Sequence, residues 1–158
     1  MTPITTQDPP AGFERHARHS PLTDPWEPLY ARQMDDRLVL GLKVAAPHTN
    51  SRGFLHGGLI AALADNAMGL SCGTVLRREG LAAEGLVTVS LSVDYMGRAE
   101  IGDWLAFDTD FVRPGRTLCF AGATVTAAGR PIARAHATFS VKVAADRPET
   151  PLPKGEVF

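Results

Sequence analysis

Cysteine is scarce: Cys72 and Cys119 are the only two in 158 residues, too few for a disulfide framework and without the close spacing of a zinc site. A reduced, cytoplasmic setting is the expectation. Excess charge of one sign is missing as well. The formal net charge is −1, which removes the general electrostatic case for a nucleic-acid partner, so any bound anion needs a local arginine cluster. No run of about 18 consecutive apolar residues suggests a membrane span. The first 28 residues carry six prolines and no apolar stretch, unlike a secretory leader. Neither a glycine-rich phosphate loop followed by lysine nor a repeat of solenoid length occurs, which weakens nucleotide hydrolysis as a reading.

What is present is ordinary globular material. Hydrophobic residues make up 44% and charged residues 21%, enough apolar surface for one core in a chain of this length. The pattern divides into an arm over 1–28, a domain over 29–145 and a tail over 146–158. Pro9, Pro10, Pro21, Pro25 and Pro28 interrupt the arm too often for a long helix, although Phe13 to His19 has room for a helical turn or two. Two short apolar runs, Leu29 to Met34 and Leu38 to Val44, meet at Asp35 and Asp36 and read as a hairpin. Pro47 then leads into a loop around Asn50.

One convincing helix follows over 57–76. Leu59, Leu63, Ala67 and Leu70 recur near helical spacing, and Ala61, Ala62 and Ala64 favour both helix and close packing. Gly57 and Gly58 leave the first backbone amides without side-chain cover and open to a ligand. After a loop ending near Gly85, alternation assigns Val87, Val89, Leu91, Val93 and Tyr95 to a core face of the next strand and Thr88, Ser90, Ser92 and Asp94 to a polar face. Trp104 to Val112, Leu118 to Val125 and a last strand running through Val143 complete an antiparallel ladder. One apolar helix after a hairpin, followed by consecutive strands, predicts an α+β domain whose sheet wraps a central helix.

Chemistry-bearing residues concentrate between Asn50 and Asp65. A helix N-terminus aims amides and a dipole at negative charge, and glycine at 57 allows a ligand to approach closely. Asp65 is a carboxylate among alanines and leucines, a position usually avoided unless the charge is paired or used. It stands two helical turns beyond Gly57, ~12 Å along the axis, too far for the two to act on one atom from the same helix.

The segment NSRGFLHGGLIAALADNAMG resembles the active-site signature of hotdog-fold acyl-CoA thioesterases of the PaaI and thioesterase superfamily member 2 type, with asparagine, glycine, the HGG triplet and aspartate at the family's spacing. The likeness continues through VTVSLSVDYMGRAEIGD, FVRPGRTL and ARAHATFSV and covers about 29–143. It implies a hotdog fold, with an antiparallel sheet wrapped around one long helix. It also implies hydrolysis of an aromatic (phenylacetyl-type) or medium- or long-chain acyl-CoA to free acid and coenzyme A, with no cofactor beyond the coenzyme A of the substrate. By the same resemblance the Gly57 amide polarises the thioester, His56 and Asn50 orient the site, and Thr88 takes the place of a water-positioning hydroxyl. The family further implies a homodimer, or a dimer of dimers forming a homotetramer, in which Asp65 of one protomer faces Gly57 and Asn50 of the other.

Plainer readings stand beside these. Asn50 can merely shape its loop, Thr88 is simply a good strand residue, and His56 can pack at an interface. Asp65 can act as general base on water or as a nucleophile that forms a mixed anhydride. Arg98, Arg113 and Arg116, at strand ends, suit the phosphates of coenzyme A or simply solvated surface. His48 and His136 lack partners at metal-ligand spacing and read as structural, with no metal expected. Trp104, Phe107 and Phe120 read as core, and the two cysteines as small buried hydrophobes. Two other functions fit the same fold: an acyl-CoA binding or sensing module without turnover, and a hydroxyacyl-thioester dehydratase. A transcriptional regulator is disfavoured because the proline-broken arm leaves little room for a helix-turn-helix.

Overall fold

The hairpin expected from the two apolar runs forms as β2 (Tyr30–Gln33) and β3 (Leu38–Lys43), antiparallel, with Met34 and Arg37 closing the turn across Asp35 and Asp36. The computed structural model describes residues 9–81 and 83–143, so the tail over 146–158 and the first eight residues of the arm lie outside it. Ahead of the hairpin, Glu14–Arg15 form a short strand, β1, paired with β2 where a helical turn was expected. After it come α1 (Gly57–Arg78) and four long strands: β4 (Ala83–Tyr95), β5 (Trp104–Arg113), β6 (Leu118–Ala127) and β7 (Arg130–Val143). All seven strands join one antiparallel sheet in the order β1-β2-β3-β5-β6-β7-β4, which leaves β4 at an open edge.

The sheet wraps α1. Leu59, Ile60, Leu63, Ala64, Ala67, Met68, Cys72 and Leu76 recur at helical spacing and are buried against β3 to β7. By length and hydropathy α1 would suffice to cross a bilayer, but half of that stretch is buried inside the fold. Ser71, the polar residue on its buried face, is satisfied by exchanging hydrogen bonds with the Leu38 backbone of β3. Cys119, Ala121, Ala123 and Val125 of β6 face the helix, small enough to let it lie close. Bulkier Phe120 therefore takes the opposite face and is 42% exposed, unlike Phe107, which is core as expected.

The strand after the helix departs from simple alternation. Thr88 pairs with Phe139, but Ser90 pairs with Thr138, so β4 carries one extra residue, Val89, against β7. Such a bulge reverses the parity of everything beyond it. Leu86 and Thr88 lie opposite buried Val141 and Phe139 before the bulge, and Leu91, Val93 and Tyr95 lie opposite buried Ala137, Ala135 and Ala133 after it. Thr88 thus shares the helix-facing side with Leu91, Val93 and Tyr95, while Val87 turns outward with Ser140. The uninterrupted face expected from Val87 to Tyr95 does not exist.

The residues before β2 are tied down by aromatic packing. Phe13 is buried and meets Trp104 edge-on at 5.2 Å between ring centroids, while Tyr30 covers Trp104 from the other side at 5.5 Å. Gly41 of β3 makes room for them: a β-carbon there would stand 2.4 Å from the Trp104 ring and 2.9 Å from Phe13. Gly41→Ala should therefore displace both rings and lower unfolding stability by about 1–3 kcal/mol, the usual cost of overpacking. Urea denaturation checks this, and an unchanged midpoint would show that the aromatic contact is not tight.

Candidate active site

Four amides at a helix start lack intrahelical partners, and here three of them are claimed. His56 is the N-cap of α1. Its Nδ1 accepts from the Gly58 amide at 2.9 Å, and its carbonyl accepts from Leu59 at 3.1 Å and Ile60 at 3.3 Å. Gly58 is therefore not open to a ligand, contrary to the expectation for both glycines. The amide of Gly57 has no partner among the described residues. Because Nδ1 is an acceptor, neutral His56 carries its hydrogen on Nε2, and that exposed edge is a donor.

His56 is held from behind. Its amide donates to the carbonyl of His48, whose own Nδ1 accepts from the Ala45 amide at 2.9 Å. Burial keeps the His48 imidazole below the usual histidine value of 6.5, opposed by a bond to the Trp26 backbone. The structural role expected for His48 is thus a specific one, setting the entry to α1. His136 instead lies exposed on the outer face of the sheet, opposite Gly122 and Ser92.

Asn50 shapes its loop and keeps a donor to spare. Its Oδ1 accepts from the amides of Arg52 at 2.9 Å and Phe54 at 3.3 Å, leaving the side-chain NH2 unpartnered among the described residues. Asn50, Gly57, Ile60, Tyr95 and Arg98 line one cavity of about 380 Å³. Tyr95 donates its hydroxyl to the Gly57 carbonyl at 2.8 Å, and its ring lies 3.4 Å from where a β-carbon at 57 would stand. Arg98 lines the same cavity, its guanidinium 4.7 Å above the Phe54 ring and its Nε 3.8 Å from Glu100.

Asp65 belongs to a second cavity, of about 450 Å³, together with Thr88. The Thr88 hydroxyl donates to Asp65 Oδ1 at 2.8 Å, and Oδ2 has no partner among the described residues. A carboxylate with one oxygen fixed and the other free is suited to take a proton from a water held beside the same hydroxyl. An unclaimed helix amide and a free carboxamide, in the other cavity, are suited to an oxyanion. The residues expected at one site thus divide between two cavities, Asn50 and Gly57 in one and Asp65 and Thr88 in the other. Arg113 and Arg116 border neither cavity; they lie at the β5–β6 turn, Arg113 across from Phe120.

The site residue that sequence alone missed is Tyr95, which lies on the helix-facing side expected of it but donates its hydroxyl to the Gly57 carbonyl, a contact that alternation does not show. A readable but unread signal lies in α1, where Asp65, Gly69, Gly73 and Arg77 recur every fourth residue and all line the larger cavity.

Comparison with known proteins places this geometry. Residues 52–144 match the thioesterase superfamily. A putative esterase of Pseudomonas aeruginosa is 37% identical over 131 residues, covering 82% of this chain and 95% of that protein. Human acyl-coenzyme A thioesterase 13 is 35% identical over 106 residues, 65% of this chain and 71% of its own length. A hypothetical thioesterase of Streptococcus pneumoniae, solved with coenzyme A, superposes with a TM-score of 0.65 at 27% identity, covering 75% of this chain and 94% of that one.

The capping role of His56 separates from any chemical one. His56→Ala should lower unfolding stability by about 1 kcal/mol, the usual cost of an N-cap, and His56→Asp should restore it. Equal stability of His56→Ala and the parent in urea titration would remove the cap from the account.

Proposed function

The chain belongs to the thioesterase superfamily and is a thioester hydrolase of the hotdog fold, and from that premise we propose that it hydrolyses an aromatic or medium- to long-chain acyl-CoA at a site completed across a dimer. The observation that carries this reading is the division of the chemistry between two cavities, one holding the free Gly57 amide and Asn50, the other Asp65 and Thr88. Neither half suffices for hydrolysis, and a rigid helix forbids their meeting within one protomer.

The open edge of β4 supports the partner. Val89, Tyr95 and Met96 are more than half exposed, an apolar content that an isolated edge strand normally avoids. Antiparallel pairing of two β4 edges about Ser92 sets the Thr88 end of one strand beside the Tyr95 end of the other, and so joins Asp65 to Gly57 across a two-fold axis. Exposed Phe111, Leu118 and Phe120 on the outer face support a further contact between dimers.

At such a joined site the thioester carbonyl oxygen accepts from the Gly57 amide and the Asn50 NH2. A water, donating to Thr88 Oγ1 and to Asp65 Oδ2 of the other protomer, gives up its proton to the carboxylate as it attacks the carbonyl carbon. The C–S bond then breaks, the thiol of coenzyme A leaves with that proton, and the free acid remains. Arg98 and Arg52, which line the Gly57 cavity, are placed to meet the coenzyme's phosphates. None of these steps draws on a metal or further cofactor.

Asp65→Asn should lower kcat/KM for acyl-CoA by about 100-fold or more, the usual worth of a general base, and Thr88→Val should cost less. Thiol release across aromatic and aliphatic acyl-CoAs measures both, with oligomer size and unfolding checked alongside. Wild-type turnover by folded Asp65→Asn would overturn the assigned chemistry.

A further inference from the structure

The larger cavity extends well beyond Asp65. Along its floor Asp65, Gly69, Gly73 and Arg77 form one stripe of α1, and the two glycines leave a trough. A β-carbon at 69 would touch the Phe139 ring at 3.5 Å, and one at 73 would touch the Arg77 guanidinium at 3.4 Å. The Arg77 guanidinium is thus folded back over Gly73, ~12 Å along the helix axis from Asp65, with only the Thr74 hydroxyl as a distant acceptor. The segment ahead of β2 contributes Arg18 to the same cavity.

Neither guanidinium has a carboxylate partner among the described residues. His19, in the same segment as Arg18, is by contrast already flanked by Asp24 at 3.8 Å and Glu27 at 3.6 Å. Glu84 of β4 also lines the cavity and pairs with neither arginine. Two arginines from separate elements therefore line the cavity that also holds the reacting carboxylate, Arg77 over Gly73 and Arg18 ahead of β2. An aliphatic chain lying there would leave both without a counter-charge, whereas an acyl chain ending in a carboxylate would receive a bidentate partner.

We propose that this cavity selects acyl groups carrying a carboxylate at the end remote from the thioester, with Arg77 and Arg18 as specificity-determining residues. The proposal rests on the thioesterase reading and names its substrate class. Arg77 lies within the residues that match the superfamily, and Arg18 lies outside them.

The test compares adipoyl-, suberoyl- and sebacoyl-CoA with hexanoyl-, octanoyl- and decanoyl-CoA, in the full chain and in Arg77→Gln, Arg77→Lys and Arg18→Gln. The parent should favour the carboxylated member of at least one pair. In Arg77→Gln the ratio of kcat/KM for that pair should fall about tenfold or more, with a smaller fall in Arg77→Lys, which keeps the charge but loses the fork. The same ratios measured with acyl-pantetheines, which lack the coenzyme's nucleotide phosphates, should change alike. An equal loss for carboxylated and plain acyl-CoAs that disappears with pantetheine would show that the arginines serve phosphate, and would overturn the proposal. So would an unchanged ratio. Calorimetric binding of free suberate against octanoate reads the same preference without turnover: suberate should bind the parent more tightly and lose that advantage in Arg77→Gln, and equal binding to the parent would overturn the proposal. Failure of every thioester to turn over would instead sink the hydrolase reading, leaving the binding result to decide this one.

Discussion

One extra residue in β4 decides which side chains meet the central helix. Thr88 and Tyr95 are an odd number of positions apart, so a regular strand would send them to opposite faces. The bulge at Val89 restores them to one face, and both then grip α1: Thr88 through Asp65, Tyr95 through the carbonyl of Gly57. A single strand thereby fixes the helix at its first residue and again two turns along. The bulge lies on the unpaired edge, where such irregularities cost the sheet least and where they re-aim side chains beside functional sites.

With the helix pinned, its two chemical assets are separated by geometry and specialised by environment. At the start, His56 and its carbonyl take up the neighbouring amides, so that polarity is concentrated on the one amide left, that of Gly57. Further along, the carboxylate of Asp65 sits half-buried against a hydroxyl that fixes one of its oxygens. The same rigidity that makes each half well ordered prevents either from being a complete site. The proposed dimer supplies the missing half through a second copy of β4, because the strand that aims both halves is also the strand left open at the edge.

Much of this was legible in the sequence, and the remainder was hidden for identifiable reasons. The helix was readable because helical periodicity is local, and it runs only two residues beyond the expected end. The hairpin was readable from Asp35 and Asp36, and the antiparallel α+β class from the order of elements. The bulge was not, since Val89 continues an unbroken alternation and only pairing with β7 displaces it. The cap was missed because histidine is not among the usual capping residues, although the imidazole nitrogen accepts as well as a hydroxyl. The contribution of Arg18, His19, Ser20 and Thr23 to the larger cavity brings the arm beside α1 and β4, a long-range contact that no local pattern encodes.

The central claim is that each working site takes Gly57 and Asn50 from one protomer and Asp65 from another. Mixing Asp65→Asn protomers with Asn50→Ala protomers, after dissociation and reassociation, tests it most directly. A shared site predicts that two crippled preparations recover up to about a quarter of parental activity, since half of the dimers are mixed and each holds one intact site of two. Mixed dimers, verified by differential tags, that remain as inactive as either parent variant would contradict it.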